Sequence, residues 1–471
     1  MLSLRNKKVT VLGLLDPGLA AIRFLQKQGA KVIAVGVVTD AILQEIKEEF
    51  KNTPCQFFSP EIPKNTLLNS ELVIQTSGGG RKYSVEIEEA RAKGVPILTD
   101  LEFACQYYQA PMIAVTGTNG KTSVVKIIQS LLEQGGKKVL VAGGDYQDFC
   151  DSLLKTGPWD FVLLELNSSR LFRLGHFHPH IAVLLNLYPG HSERHGSFEE
   201  YSKIKAKIFK ELDATDYLVC QDQQEIVDLV RGLGVKGKVF PFSFFKPPVR
   251  GTFFQAGKPR KIVFLSAKGD KHEFVADALG LEAVSDYLNL MAGVTVAKLC
   301  GIEDSQVQAG IRQFKSLPNR LEFVRSIEGV RYFNDAKSVN VASTSVALDT
   351  FPDKNVILIA GGQYKSKQFY NFLLPNLEKK VRVLVLFGEY RRKFEEKWGK
   401  ATETYVVPTL MEAVQLASKF AQKGDVVLFS PACVAESHVH ANPKARGDEF
   451  KRVLGEIAEL AKIRHMAPKR L

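Results

Sequence analysis

The stretch "AVTGTNGKTSVV", residues 114–125, constrains this chain more than any other. An apolar run, "APMIAVTG", leads straight into Gly117-Thr118-Asn119-Gly120-Lys121-Thr122. Val124, Val125, Ile127, Ile128, Leu131 and Leu132 then recur at helical spacing until Gly135-Gly136. Strand, glycine loop and helix in that order predict a phosphate-binding loop. Glycines let backbone N–H groups close on phosphate oxygens, and the helix N-terminus adds partial positive charge. Lys121 is set to reach the outer phosphates of a nucleotide, Thr122 to hold Mg²⁺ by its hydroxyl, and Ser123 to open the helix beside them. The opening glycine of such loops is missing, and Val115 stands there instead.

A loop of this kind needs a parallel sheet behind it. "KKVLVAGG", "DFVLLEL" and "HIAVLLNL" are near-continuous apolar runs, the pattern of strands buried on both faces. Ahead of the loop, "KKVTVLGL", a helical face of Leu19, Ile22 and Leu25 ended by Gly29, and "KVIAVGVV" read as a β-α-β opening. "SELVIQTSGGG", "SVEIEEARAKG" and "VPILTD" continue it. Segment 238–275, rich in Phe and turn residues, reads as a small β excursion, and 283–299 as a helix. "NVILIAGG", "VRVLVLFG" and "DVVLFSP" supply a last set of strands. The fold class is α/β in three domains: an N-terminal Rossmann-like unit at 1–108, a central P-loop ATPase unit at 109–316 and a C-terminal Rossmann-like unit at 317–471. The early stretch "GLLDPGLAAI" lacks G-x-G-x-x-G, and no acidic residue ends the second strand, which disfavours a dinucleotide site. A tight turn and a phosphate contact both remain open for it.

Bulk numbers exclude some function classes. The chain has 471 residues, 45% of them hydrophobic and 24% charged, ordinary for a globular protein with real cores. No apolar run is long enough for a transmembrane helix, and the basic start breaks at Asp16-Pro17 as a strand would. Six cysteines lie singly with no C-x-x-C pair, so reduced thiols in the cytoplasm are expected. The net charge of +12 suits polyanionic small substrates, and no aromatic-rich basic motif supports a specific nucleic-acid partner. Two residues at apolar strand ends, Glu165 in "FVLLELNSS" and His191 in "LLNLYPGHSERHGS", are candidate metal ligands. Strand C-termini face the ligand crevice of open α/β sheets.

Taken in order, "AVTGTNGKT", "LLEL", "HSERHGSFEEYSKIKAKIF", "LPNRLE", "NDAKSVN" and "SPAC" resemble the Mur ligase family over the whole chain, and folylpolyglutamate synthases more distantly. The segments are most similar to those of the D-glutamate-adding branch. The resemblance implies a monomer that uses ATP and two Mg²⁺ ions to turn a carboxylate into an acyl phosphate, which an amino acid's amine then attacks. The carboxylate would belong to a UDP-sugar peptide precursor. Position by position, Thr122 and Glu165 match Mg²⁺-linked residues, His191 a second metal's ligand, and Lys205 a carbamoylated lysine. Asn289 matches an adenine contact, Arg320 an arginine that approaches the phosphates, and Asp335 and Lys337 nucleotide contacts of the last domain. Lys365 matches a lysine for the incoming amino acid's carboxylate, and Ser168 and Arg170 fall in a substrate-side motif.

Other substrate-side positions depart from the family pattern. Asp145 replaces an asparagine, Arg170 a glutamine, and Val339 a threonine expected to bind the incoming amino acid. "VAESHVHANPKARG" replaces a serine- and phenylalanine-bearing loop. An acid at 145 beside a polyanion is repulsive unless a cation intervenes, and Arg170 is the expected offset. The resemblance also admits a relative adding a different amino acid, and a non-catalytic nucleotide-binding descendant.

Overall fold

The computed structural model describes residues 3–76, 82–189, 195–277, 284–314, 317–364, 369–436 and 438–466. Three sheets form from consecutive stretches of chain. The first holds β1 (Lys8–Leu12), β2 (Lys31–Val35), β3 (Cys55–Phe58), β4 (Leu72–Gln75) and β5 (Ile97–Thr99). Its order is β3-β2-β1-β4-β5 and every pairing is parallel. Strand β3 and the helix Asp40–Glu49 ahead of it were not foreseen from sequence. Cys55–Phe58 is only half-buried and carries little alternation to read. The early glycine stretch does make a tight turn, since a Cβ at Gly18 would lie 1.9 Å from the Gly13 carbonyl oxygen.

The second sheet holds β6 (Met112–Thr116), β7 (Val139–Gly143), β8 (Phe161–Glu165), β9 (Ile181–Leu184), β10 (Tyr217–Gln221), β11 (Lys238–Ser243), β12 (Gly251–Gln255), β13 (Lys261–Leu265) and β14 (Lys271–Val275). Along the sheet they run β14-β13-β12-β11-β10-β9-β6-β8-β7. Strand β6 thus sits between two strands that follow it in sequence, and its C-terminal end opens where the strand order reverses, the usual ligand crevice of such sheets. Alternate side chains feed two cores. Ala114, Leu164 and Ala182 face one and Ile113, Val115 and Val183 the other, which is why the strands read as unbroken apolar runs. The expected small excursion at 238–275 is no separate unit. Strand β11 pairs in parallel with β10, and β12 to β14 extend the same sheet, the last two pairings antiparallel.

The third sheet holds β15 (Glu322–Ile327), β16 (Val330–Asn334), β17 (Val356–Gly361), β18 (Val381–Phe387), β19 (Glu403–Val406) and β20 (Val426–Phe429), in the order β15-β16-β20-β17-β18-β19. Only the β15–β16 hairpin is antiparallel. A helix from Pro443 to Met466 takes in much of the basic C-terminal stretch.

Two helices on one face of the central sheet fix the glycine loop. Helix Lys121–Gln134 packs on helix Val284–Leu299 at Gly293, where a Cβ would meet Ile127 Cγ2 at 2.3 Å. Gly293→Ala is therefore expected to push the helices apart. The overpacking should cost about 1–3 kcal/mol, more than the gain of up to about 1 kcal/mol in helix propensity. A lower urea midpoint at unchanged slope would register it.

Candidate active site

Backbone geometry builds the loop before any ligand is considered. Gly120 takes a φ of +86°, and a Cβ there would lie 2.6 Å from Asn289 Oδ1, so no other residue fits. Asn186, just past β9, straps the loop: its Oδ1 accepts from Asn119 N at 2.9 Å and its Nδ2 donates to Asn119 O at 3.2 Å. The Asn186 carbonyl accepts from Thr118 N at 3.0 Å. Sequence reading overlooked Asn186, although it ends the run "LLN" beside a candidate ligand.

Charged groups crowd the loop. Lys121 Nζ curls back to donate to the carbonyls of Gly117 at 3.0 Å and Thr118 at 3.1 Å. Burial lowers its proton affinity, and the nearby Arg320 charge lowers it further, against the pull of Glu165 and Asp145. Thr122 Oγ1 donates to Glu165 Oε1 at 3.0 Å. Glu165 Oε2 is buried with no hydrogen-bond partner, and desolvation pushes the carboxyl's pKa up. An orphaned carboxylate oxygen beside a threonine hydroxyl fits a hard divalent cation, which takes such donors and completes its shell with water.

Lys205 is 1% exposed on helix Phe198–Ala206. Its Nζ donates to Gly117 O at 2.9 Å and Thr116 Oγ1 at 3.2 Å and lies 5.0 Å from the centre of the Tyr201 ring. Desolvation, with a smaller push from Lys121, drives its pKa well below the usual lysine range. A neutral amine is the form that reacts with CO₂, so the environment fits carbamoylation.

The third sheet's unit supplies the facing wall. Asn119, Gly120, Ser123 and Asn289 line one side of the cleft; Arg320, Asp335 and Lys337 line the other. Asn319 and Leu321 both adopt positive φ, of 64° and 45°, and frame Arg320, whose Nε is buried without a partner. Asp335 accepts from Leu321 N at 3.1 Å and Ser430 Oγ at 2.8 Å, and from Ser338 Oγ. Burial still raises its pKa to about 6. Across the cleft, Asn340 Nδ2 donates to Asn119 Oδ1 at 3.4 Å, and Lys337 pairs with Asp145 at 3.7 Å.

The remaining expected residues lie elsewhere or out of view. Ser168 is buried, with its Oγ 3.1 Å from His195 Nε2. Arg170 does not offset Asp145. It pairs with the buried Asp100 and, at 3.0 Å, with Asp148, stacked over the Phe149 ring. Two local carboxylates reach its guanidinium first, so Asp145 turns to Lys337 instead. His191 and Lys365 lie outside the described residues.

A glycine loop on a parallel sheet, closed by a second α/β unit that brings an arginine, defines a nucleotide-dependent enzyme of two facing domains. Sequence comparison carries this to a family. Residues 115–297 match the Mur ligase middle domain, and residues 319–433 match the Mur ligase, glutamate ligase domain. UDP-N-acetylmuramoylalanine--D-glutamate ligase of Caldanaerobacter subterraneus subsp. tengcongensis is 33% identical over 97% of this chain and 100% of its own length. The same-named protein of Koribacter versatilis is 33% identical over 98% of this chain and all of its own. The fold is shared with the MurF ligase of Thermotoga maritima solved in complex with ADP, at a TM-score of 0.60 and 17% identity over 97% of this chain and 96% of that one. It is shared also with a pseudomurein peptide ligase type C from Methanothermus fervidus, at a TM-score of 0.60 and 16% identity over 96% and 100%. The chain belongs to the Mur ligase family, whose members are ATP-dependent ligases.

Asp335 gives the site a pH signature. The native state binds its proton more tightly than the unfolded chain does. Stability contributed by this group is therefore lost as pH rises from the unfolded value of 3.8 to about 6. The loss is on the order of 3 kcal/mol. Asp335→Asn is expected to flatten that fall, read from urea unfolding between pH 4 and 7.

Proposed function

We propose that this chain is an ATP-dependent amide ligase of peptidoglycan precursor synthesis, acting on UDP-N-acetylmuramoyl-L-alanine and D-glutamate. The observation that carries this reading is the cradle of Lys121, Thr122 and the half-satisfied Glu165 on one side of a cleft, with Arg320 and Asp335 on the other. It is joined by full-length similarity to relatives bearing that activity in their names.

The substrate carboxylate attacks the γ-phosphorus of ATP, ADP leaves, and an acyl phosphate results. The amine of the incoming amino acid then attacks the acyl carbon, phosphate departs with the bonding electrons, and the ammonium proton is released. The backbone N–H groups of Gly120 and Lys121 and the helix start would hold the phosphates, those of Thr118 and Asn119 being taken by Asn186. Lys121 would swing from the loop carbonyls to the transferring phosphoryl group, whose charge it offsets in a desolvated site. Arg320 approaches from the opposite wall, so the full set assembles only when the two units face each other. Asn289, packed on Gly120, would border the base. Mg²⁺ bound at Thr122 and Glu165 would offset phosphate charge, and Lys205, once carbamoylated, with His191 would hold a second ion. Lys365, Ser168 and Arg170 are retained as substrate-side residues. Arg170 acts by fixing the segment through Asp100 and Asp148 and not as a free cation.

Val339 leaves the identity of the amino acid as the sharpest question, since a valine offers no hydroxyl to a carboxylate. Phosphate release from ATP with UDP-N-acetylmuramoyl-L-alanine, measured across D- and L-amino acids, tests the proposal. Turnover with D-glutamate alone is expected. Turnover with another amino acid would keep the ligase chemistry and change the substrate; none at all would remove the activity. Lys121→Ala should reduce release to background. Lys205→Ala should lose activity and regain part of it with added short-chain carboxylates, which can stand in for a carbamate; an intact fold without rescue would count against carbamoylation.

A further inference from the structure

We infer that Asp145 is a ligand of the divalent cation at the phosphate loop, and that it releases Lys337 to the nucleotide when that cation binds. The inference rests on the ATP-site reading and adds a residue to it. The family pattern leads one to expect an asparagine at this position, which could offer a carbonyl oxygen but no charge.

Placement comes first. Gly144 takes a φ of +59°, and a Cβ on it would lie 2.2 Å from Glu165 Cδ. The backbone after β7 therefore lies directly against the Glu165 carboxyl, and residue 145 starts beside it. Glu165 is 5% exposed, and its Oε2 has no hydrogen-bond partner. That buried atom is the independent sign of a cation, because a desolvated carboxylate oxygen is costly unless something positive or protic meets it. The negative charge of Asp145 acts on both Lys121 and Glu165. Two carboxylates thus border one phosphate loop, where a triphosphate would add more negative charge.

Chemistry decides what resolves the repulsion. Two carboxylates and the Thr122 hydroxyl form an all-oxygen donor set of the kind Mg²⁺ or Mn²⁺ accepts, with water filling the rest of the shell. Lys337 now balances Asp145 at 3.7 Å, but the Asp145 side chain is 68% exposed, so the pair is weak and exchangeable. A divalent cation taking Asp145 would free Lys337, which already lines the nucleotide cleft, to turn to phosphate.

The test uses Mn²⁺ on the full chain without nucleotide, with free Mn²⁺ followed by electron paramagnetic resonance. Asp145→Asn should weaken Mn²⁺ binding about tenfold or more, the loss typical when a metal site loses a supporting group. Lys337→Met should bind Mn²⁺ as tightly as the unaltered chain or more tightly, since a competing cation is gone. Glu165→Gln should weaken binding in every case. If Asp145→Asn leaves the affinity unchanged while Glu165→Gln lowers it, Asp145 is no ligand and the ATP-site reading stands. Equal weakening by Asp145→Asn and Lys337→Met also overturns the inference, because Asp145 would then act only through the lysine. No effect of Glu165→Gln would overturn the metal reading itself.

Discussion

Two lysine amines converge on one backbone oxygen, the carbonyl of Gly117. Lys121 reaches it from the loop's own helix at 3.0 Å, and Lys205 from a helix more than eighty residues later at 2.9 Å. Desolvation is the main reason both amines have lowered proton affinity, and neighbouring positive charge adds to it, Arg320 at Lys121 and Lys121 at Lys205. Glu165 offsets part of that charge but spends one of its oxygens on Thr122. The loop is therefore held in an electrostatic state that a polyanion with its own cation would complete. The glycines, the Asn186 strap and the switch-point position of β6 all serve to keep this arrangement fixed.

The two flanking units are attached by different physics. The first sheet's unit shares a continuous apolar core with the central one, and Tyr108 Oη reaches across to Phe149 O at 3.0 Å and Ser152 Oγ at 2.7 Å. The pairs of Arg170 with Asp100, and of Arg23 with Asp151 at 3.1 Å, add to that joint. The third sheet's unit meets the loop through polar contacts, Asn340 with Asn119 and Lys337 with Asp145. Such contacts are individually worth about 1 kcal/mol or less. A firm joint to the first unit and an exchangeable one to the third suit an ATP-dependent ligase whose nucleotide must enter and leave.

Much of this was legible in the chain. The phosphate loop, the helix after it and the runs that became β6 to β9 follow from periodicity and glycine placement alone. So do β17, β18 and β20. Strand β3 and the β15–β16 hairpin were not legible, because half-buried strands lack a strong pattern. Nor was the role of segment 238–275, since composition cannot say whether a turn-rich strand starts a new unit or lengthens an existing sheet. At the site, Glu165 and Lys205 could be named but not explained. Nothing local marks Lys205 as buried, and its environment is made by Thr116, Gly117 and Tyr201, which it meets only after folding.

Sequence by itself determined the chemistry on offer: a glycine loop, its lysine and threonine, and an order of motifs that belongs to one family. These depend on near neighbours in the chain, where spacing and backbone rules suffice. Tertiary structure decided which charges meet. Arg170, expected to answer Asp145, is captured by Asp100 and Asp148, and Asp145 faces Lys337 from the opposite unit. Pairing between distant charges depends on distance and desolvation, and neither exists until the sheets have packed.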